Sequence, residues 1–587
     1  METDLRYGLQ KVKVDESDPR HHQTRLKFGT PLPPPLVRLC CANQVASKSC
    51  RCPRDDCKNP LKSASWSPAW VQQTRFPSFI NGDVPQPGME LYLLSQFGMG
   101  VVLQVWGNIA AIDIINAKHN EGVGSIRNKD LSIAFVASGD LRNVVKTVNE
   151  LPEDYSGTIK VVLNDLNTIV VCRNIMILAI LGTIPDIEEA AEHALHLWYS
   201  VFQPISYQTR ILPHILESQT LQNLTGKRAQ LTHSTSMHTT FSTNTIAYLM
   251  DILGAPALDP DIASNALNDI MNAPQRGDYR DRYYASIKPS HRVAFERWRS
   301  FGLILPFGAA NAHLAIPNRW LFTKDGCLFL SDDANPFEGW DFDEIFDSGK
   351  AHGTTEADLI GSLFFHIMDQ LVEFSKRLRR FKIQIYSFDL DATKLPRTLK
   401  SNTSFPQSFD HIEVSNIMDK NYVGMSVLSG WGPFLNQANP HATIIGLFMN
   451  WYKWKESADF MLSPRDFSSA KERMSACPYT GFSLSMFSPL GPKMIKLMDI
   501  MTLFHDTSKV FEEYLKDEKE DVICRKAGLL SRRVNKIVPH HLFAKLGTMK
   551  TSLPRVDSVD VWYRMASLSG YTYYERYVEW SRATTGQ

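Results

Sequence analysis

The residues best suited to chemistry gather at the ends of apolar runs. The run Leu131–Ser138 is followed by Gly139-Asp140, and the run Thr158–Asp165 ends on a carboxylate 26 residues after that glycine. A glycine after a strand lets the backbone approach a ligand closely. A helix that follows presents unpaired N–H groups, and a carboxylate roughly 20 residues onward can accept from both hydroxyls of a ribose. Ser138, Gly139, Asp140 and Asp165 are therefore predicted to line a cofactor pocket. One glycine stands where the dinucleotide fingerprint carries three, and an ordinary strand-to-helix turn reads the same way. Later runs end alike. Asp389 and Asp391 close the strand-like stretch Phe381–Leu395, and Ser415, Asn416 and Asp419 follow the next one, which opens at Phe409. All of them fall where parallel strands present their carboxyl ends to ligands, with polar turns as the plainer reading.

Cysteine supplies a second constellation. Cys40, Cys41, Cys50, Cys52 and Cys57 fall within 18 residues. Zinc asks for four thiolate or imidazole ligands in a tetrahedron. Cys41, Cys50 or Cys52, and Cys57 are the predicted ligands, with His21 or His22 as the fourth. Pro53 stands where a ligand histidine would precede the last cysteine by four. A distorted zinc site, a metal-free remnant of a finger and a transcript that skips an exon are the alternatives. Elsewhere the signals are weaker. His233 and His238 lack a third ligand, Lys376–Arg380 reads as the cationic end of a helix, and Trp451 and Trp454 read as core. No G-x-S-x-G elbow and no G-x-x-x-x-G-K-[ST] phosphate loop occurs.

The elements that must position these groups alternate. After Leu131–Ser138, the apolar positions Leu141, Val144, Val145, Val148 and Leu151 have helical spacing. The strand Thr158–Asp165 comes next, and then a buried helix from Asn167 to Leu181. Strand, helix, strand, helix with short connections predicts a βαβα unit and a parallel sheet. Two further strands, after Phe381 and Phe409, come some two hundred residues later, beyond a stretch of helical patterns that includes Asp186–Phe202 and Glu356–Phe381. The expected fold is α/β: a doubly wound, mostly parallel, Rossmann-like sheet with a large helical insertion and a helical C-terminal region. The expected organisation is a disordered arm over 1–39, a cysteine cluster over 40–60, a linker packed on the core over 61–99, and the first half of the core over 100–202. A helical insertion over 203–380, the second half of the core over 381–460 and a helical region over 461–587 complete it.

Composition bounds the function. Of 587 residues, 43% are hydrophobic and 11% aromatic, which suits a large core and excludes a mostly disordered chain. Lys and Arg total 63 against 62 Asp and Glu, so no chain-wide basic surface argues for nucleic acid. The best apolar run, Ile169–Ile184, holds Arg173 and Asn174 and falls short of the ~20 residues that span a membrane. No secretory leader is expected from the polar first residues, and nine cysteines are too sparse for a disulfide framework. An intracellular chain, in the cytoplasm rather than the nucleus, is the expectation.

Three stretches carry a resemblance: Trp106–Gly122 (WGNIAAIDIINAKHNEG), Leu131–Pro152 (LSIAFVASGDLRNVVKTVNELP) and Val161–Asn167 (VVLNDLN). They resemble the domain of unknown function 4470, a family related to the N-terminal domain of dynein axonemal assembly factor 3. In fungi this domain often follows a MYND-type zinc finger, and Lys58–Val71 is similar to the segment that joins the two. Phe346–Thr355, Phe388–Pro396 and Phe409–Gly424 resemble later parts of the same fungal family. The family in turn resembles class I S-adenosylmethionine-dependent methyltransferases. That resemblance implies Gly139 and Asp140 as first-loop positions, Asp165 as the ribose carboxylate and Asp391 as the adenine-side acid, with S-adenosylmethionine as cofactor. This first strand ends Val136-Ala137-Ser138-Gly139 and lacks the usual acid and paired glycines. Two functions are therefore carried forward. One is an interaction or assembly scaffold with protein partners. The other is a methyltransferase with a small-molecule ligand in the strand-end cleft, and a zinc-binding MYND-type protein is a further alternative. Neither nucleic acid nor membrane is expected as a partner.

Overall fold

The computed structural model describes residues 68–75, 105–217, 228–273 and 277–583. The core is built from β1 (Leu131–Phe135), β2 (Thr158–Asn164), β7 (Lys382–Phe388), β8 (His411–Glu413) and β9 (Thr443–Phe448), all parallel. β1 and β2 register Leu131 against Ile159 and Phe135 against Leu163. Both faces of these strands are covered, which is why they read as nearly unbroken apolar runs. Ile133, Phe135, Val161 and Leu163 enter one core, while Ala134, Val136 and Val162 enter the other. The helices Arg142–Asn149, Thr168–Thr183, Ile187–Tyr199 and Leu359–Arg380 pack on the first face. Leu395–Ser401, Ser426–Trp431 and Ser508–Asp517 pack on the second.

With β4 (Arg228–Gln230), β5 (Thr235–Thr240), β10 (Leu529–Ser531) and β11 (Arg576–Arg582), the sheet has nine strands among the described residues, in the order β10-β11-β9-β8-β1-β2-β7-β5-β4. The chain is mixed α/β, with a large, mostly parallel central sheet and many helices. Strands also run through the two regions expected to be mainly helical. The stretch between β2 and β7 is not helices alone, because β4 and β5 extend the sheet beyond β7. It also holds β3 (Phe202–Pro204) and β6 (Leu314–Pro317), which form a separate two-stranded sheet. The C-terminal region is not helices alone either. It supplies β10 and β11, and β11 runs antiparallel beside β9. β5 is rich in threonine and β11 carries Arg576 and Glu579, so neither shows an apolar run. Glu579 is nevertheless fully buried, because the backbone N–H groups of Lys536, Ile537 and Val538 donate to its carboxylate.

The apolar run near Ile169–Ile184 is the helix Thr168–Thr183, buried against the sheet almost all round. Among the described residues no helix is long and apolar enough to cross a membrane. Trp70 is buried and donates its indole N–H to the carbonyl of Leu490 at 3.1 Å.

Candidate functional site

The carboxyl ends of β1 and β2 bring Gly139 and Asp165 together. Gly139 takes a left-handed φ of 55°, which an L side chain adopts with difficulty. That turn points its N–H at Asp165 Oδ2, 2.8 Å away. Asp165 Oδ1 accepts the N–H of Asn167 at 2.8 Å, and Asn167 in turn caps the helix Thr168–Thr183. Asp165 is half-buried, and burial raises its carboxyl above the usual range against the pull of these N–H bonds. Ser138 is buried, and its N–H donates to the carbonyl of Asn164 at 2.8 Å.

The remaining predicted residues lie along the same rim but face different partners. Asp140 turns inward and is 3% exposed. Its Oδ2 accepts the N–H of Gly107 at 2.8 Å and the indole of Trp198 at 3.4 Å, and its Oδ1 accepts Arg142 at 2.6 Å. Asp389 Oδ2 accepts both the N–H (2.8 Å) and the hydroxyl (2.6 Å) of Ser242, while its buried Oδ1 has no partner among the described residues. Asp391 accepts the N–H and hydroxyl of Thr393, and these bonds hold its carboxyl below the usual range. Ser415 has a positive φ of 52° and donates its N–H to Glu413 Oε1 at 2.7 Å. Asn416 follows it in a short 3-10 turn, and Asp419 accepts the N–H groups of Met449 and Asn450.

Three residues that sequence reasoning missed complete the rim. Asn164, the last residue of β2, donates to the carbonyls of Val136 and Leu390 and accepts the N–H of Leu390, tying the ends of three strands. Arg142 opens the helix Arg142–Asn149 and reaches back to the carbonyl of Ile109 at 2.8 Å. Its guanidinium lies so close to Gly107 that a Cβ there would sit 1.6 Å from Cζ. Glu413 ends β8 with no donor to Oε2 among the described residues, and burial raises its carboxyl to about 7 against the Ser415 N–H and the opposing charge of Arg142. The strand order reverses between β1 and β8, the place where open α/β sheets leave a ligand crevice. Asp140, Arg142 and Glu413 stand at that point. A strand-ending Asn before Asp165 was the one visible signal for this set.

A cavity of about 280 Å³ opens at the same end of the sheet, past Met449 at the end of β9. None of the predicted cofactor residues lines it. His238 lies in β5 and stacks on Tyr386, and among the described residues no group of three or more His, Cys, Asp or Glu could hold a metal. Of the basic helix end, Arg377 donates to the carbonyls of Val148 and Leu151 and Arg379 to those of Leu181 and Ile184. Cys41, Cys50, Cys52 and Cys57, with His21 and His22, lie outside the described residues.

Residues 105–203 match the model of a domain of unknown function (DUF4470). That span begins at the segment clasped by Asp140 and ends in β3, so it includes β1, β2 and the Gly139–Asp165 contact. No curated protein and no solved structure matches the chain.

Proposed function

We propose that this chain is an interaction or assembly scaffold built on a methyltransferase-like core. One observation carries the reading: the rim carboxylates are engaged by the chain's own donors. Asp165 holds Gly139 and Asn167, Asp140 holds Gly107, Trp198 and Arg142, Asp389 holds Ser242, and Asp391 holds Thr393. A ribose or an adenine would have to compete with those bonds, and Arg142 occupies the switch point itself. Such a rim gives a rigid frame, with its loops fixed by bonds between segments far apart in the chain.

Two observations favour a second reading, S-adenosylmethionine-dependent methyl transfer. β1 stands centrally, with β2 and β7 on one side, β8 and β9 on the other, and the antiparallel β11 beyond β9. This order supports the methyltransferase-like resemblance. The Gly139–Asp165 contact supports it too, since an ionised carboxylate has about four acceptor positions and Asp165 is half-buried. On this reading Asp165 holds the ribose, and the bound cofactor supplies the methyl group. Methyl transfer needs mainly positioning, so neither reading depends on an acid/base pair.

Calorimetry of the full chain with S-adenosylmethionine and S-adenosylhomocysteine separates them. No heat of binding at millimolar ligand is the result expected of the scaffold. Binding that Asp165→Ala abolishes overturns it.

A further inference from the structure

Past β9, the cavity is walled by Trp106, Asn108, Asn335, Glu338, Tyr571 and Glu575, among others. We infer that this cavity binds an unbranched organic cation, with a primary ammonium or guanidinium head seated between Glu338 and Glu575.

Glu575 stands just before β11 and is 2% exposed. Its Oε1 accepts the N–H of Thr572 at 3.0 Å and the Thr572 hydroxyl at 2.9 Å. Among the described residues no group donates to its Oε2. A buried carboxylate oxygen left without a donor is costly, so an entering N–H donor would be favoured there. Glu338 comes from a distant loop and packs against Gly570, where a Cβ would fall 1.8 Å from its Oε1. The absent side chain at Gly570 is what leaves room for that carboxylate. Asp499 adds a third acid near Glu575, and Lys496 gives its Nζ to the carbonyl of Ser569 rather than to either glutamate.

Burial raises Glu338 to about 8 and Asp499 to about 6, outweighing their shared cationic neighbour Lys496, whose charge pulls both down. An entering ammonium or guanidinium supplies both the charge and the N–H donors. Trp106 and Tyr571 add aromatic surface, which favours an organic cation. The volume of about 280 Å³ holds roughly nine non-hydrogen atoms at the ~30 Å³ of one liquid water. That matches a short alkyl chain with a cationic head. A metal ion is the poorer fit, because no group of three or more acidic, His or Cys side chains among the described residues could hold one. The inference goes beyond the scaffold reading and does not rest on it.

The test is calorimetry of the full chain with agmatine, with a neutral diol of the same length, and with a blocked peptide carrying one arginine. The expected result is agmatine binding with a Kd below about 1 mM, no binding of the diol, and at least about a tenfold loss in Glu575→Gln. Glu575 is buried, so Glu338→Gln is the second variant, and thermal melts confirm that each is folded. Binding of the peptide without agmatine supports the site and assigns its cation to a partner's side chain. No binding of agmatine or peptide at about 10 mM overturns the inference, and so does an affinity unchanged in both folded variants.

Discussion

The slot that holds Arg142 is the most exposed to refutation of the features that close the rim. Gly107 does not have a left-handed φ, so its backbone admits an L side chain, and the obstacle to one is the guanidinium 1.6 Å from the would-be Cβ. In Gly107→Ala that guanidinium must leave, losing its bonds to Asp140 Oδ1 and the Ile109 carbonyl. Overpacking costs about 1–3 kcal/mol, and a buried ion pair broken on one side about 3–5 kcal/mol. Asp140 keeps Gly107 and Trp198 as partners, so about 3 kcal/mol is the expected sum. An unfolding entropy of ~2.1 cal/mol/K per residue over the whole chain gives ~1.2 kcal/mol/K, and hence a fall in Tm of about 2–3 °C. The same substitution made in Arg142→Ala meets no guanidinium and should cost under about 1 kcal/mol, leaving a coupling of about 2 kcal/mol in the double-mutant cycle. Differential scanning fluorimetry of the four chains reads the cycle directly. Equal drops in the two backgrounds, or no drop with Arg142 present, would show that the guanidinium is not lodged against Gly107.

Other predictions concern parts of the chain away from that slot. At the amino end of the sheet Glu121 accepts His411 Nε2 at 2.9 Å and Asn439 at 3.0 Å, and Lys129 lies 3.1 Å from its other oxygen. Burial alone would raise this carboxyl, but those partners outweigh it and hold it at about 2 against an ordinary 4.5. The resulting ~3 kcal/mol of stability is present above pH 4.5 and lost as pH falls toward 2, so Glu121→Gln should flatten the acid limb of a Tm–pH curve; an unchanged limb refutes the assignment. A zinc ion held by Cys41, Cys50 or Cys52, and Cys57 should appear as about one equivalent in elemental analysis of the purified full chain; clearly less retires the finger reading.

How much of this could be read from the sequence depends on which partners a residue has. β1, β2 and β7 are legible because strands covered on both faces must be apolar throughout, and LSIAF, TIKVVLN and KIQIYSF come close to that. β9 (TIIGLF) is buried throughout but runs into the aromatic stretch Trp451–Trp454, whose spacing is near-helical. β11 is hidden for the opposite reason: Arg576 and Glu579 are charged yet buried, and their partners lie in Thr507 and in Arg532–Val538, invisible to any local pattern. The rim follows the same logic. That Gly139 and Asp165 should meet follows from two parallel strands in register, and they do. Arg142 is close to Asp140 in sequence, but the other donors that hold Asp140 inward, Gly107 and Trp198, lie 33 residues before and 58 residues after it. A row of strand-end carboxylates is therefore written identically whether it awaits a ligand or binds its own chain. The donors decide, and here most of them belong to the chain: an aspartate held by two or three internal N–H groups has less to offer a ribose. The exceptions include Asp389 Oδ1, Asp419 Oδ1, Glu413 Oε2 and Glu575 Oε2, buried oxygens that have no donor among the described residues. Of these, Glu575 lines a cavity that can admit one, so a ligand is better sought past β9 than at the Gly139–Asp165 turn.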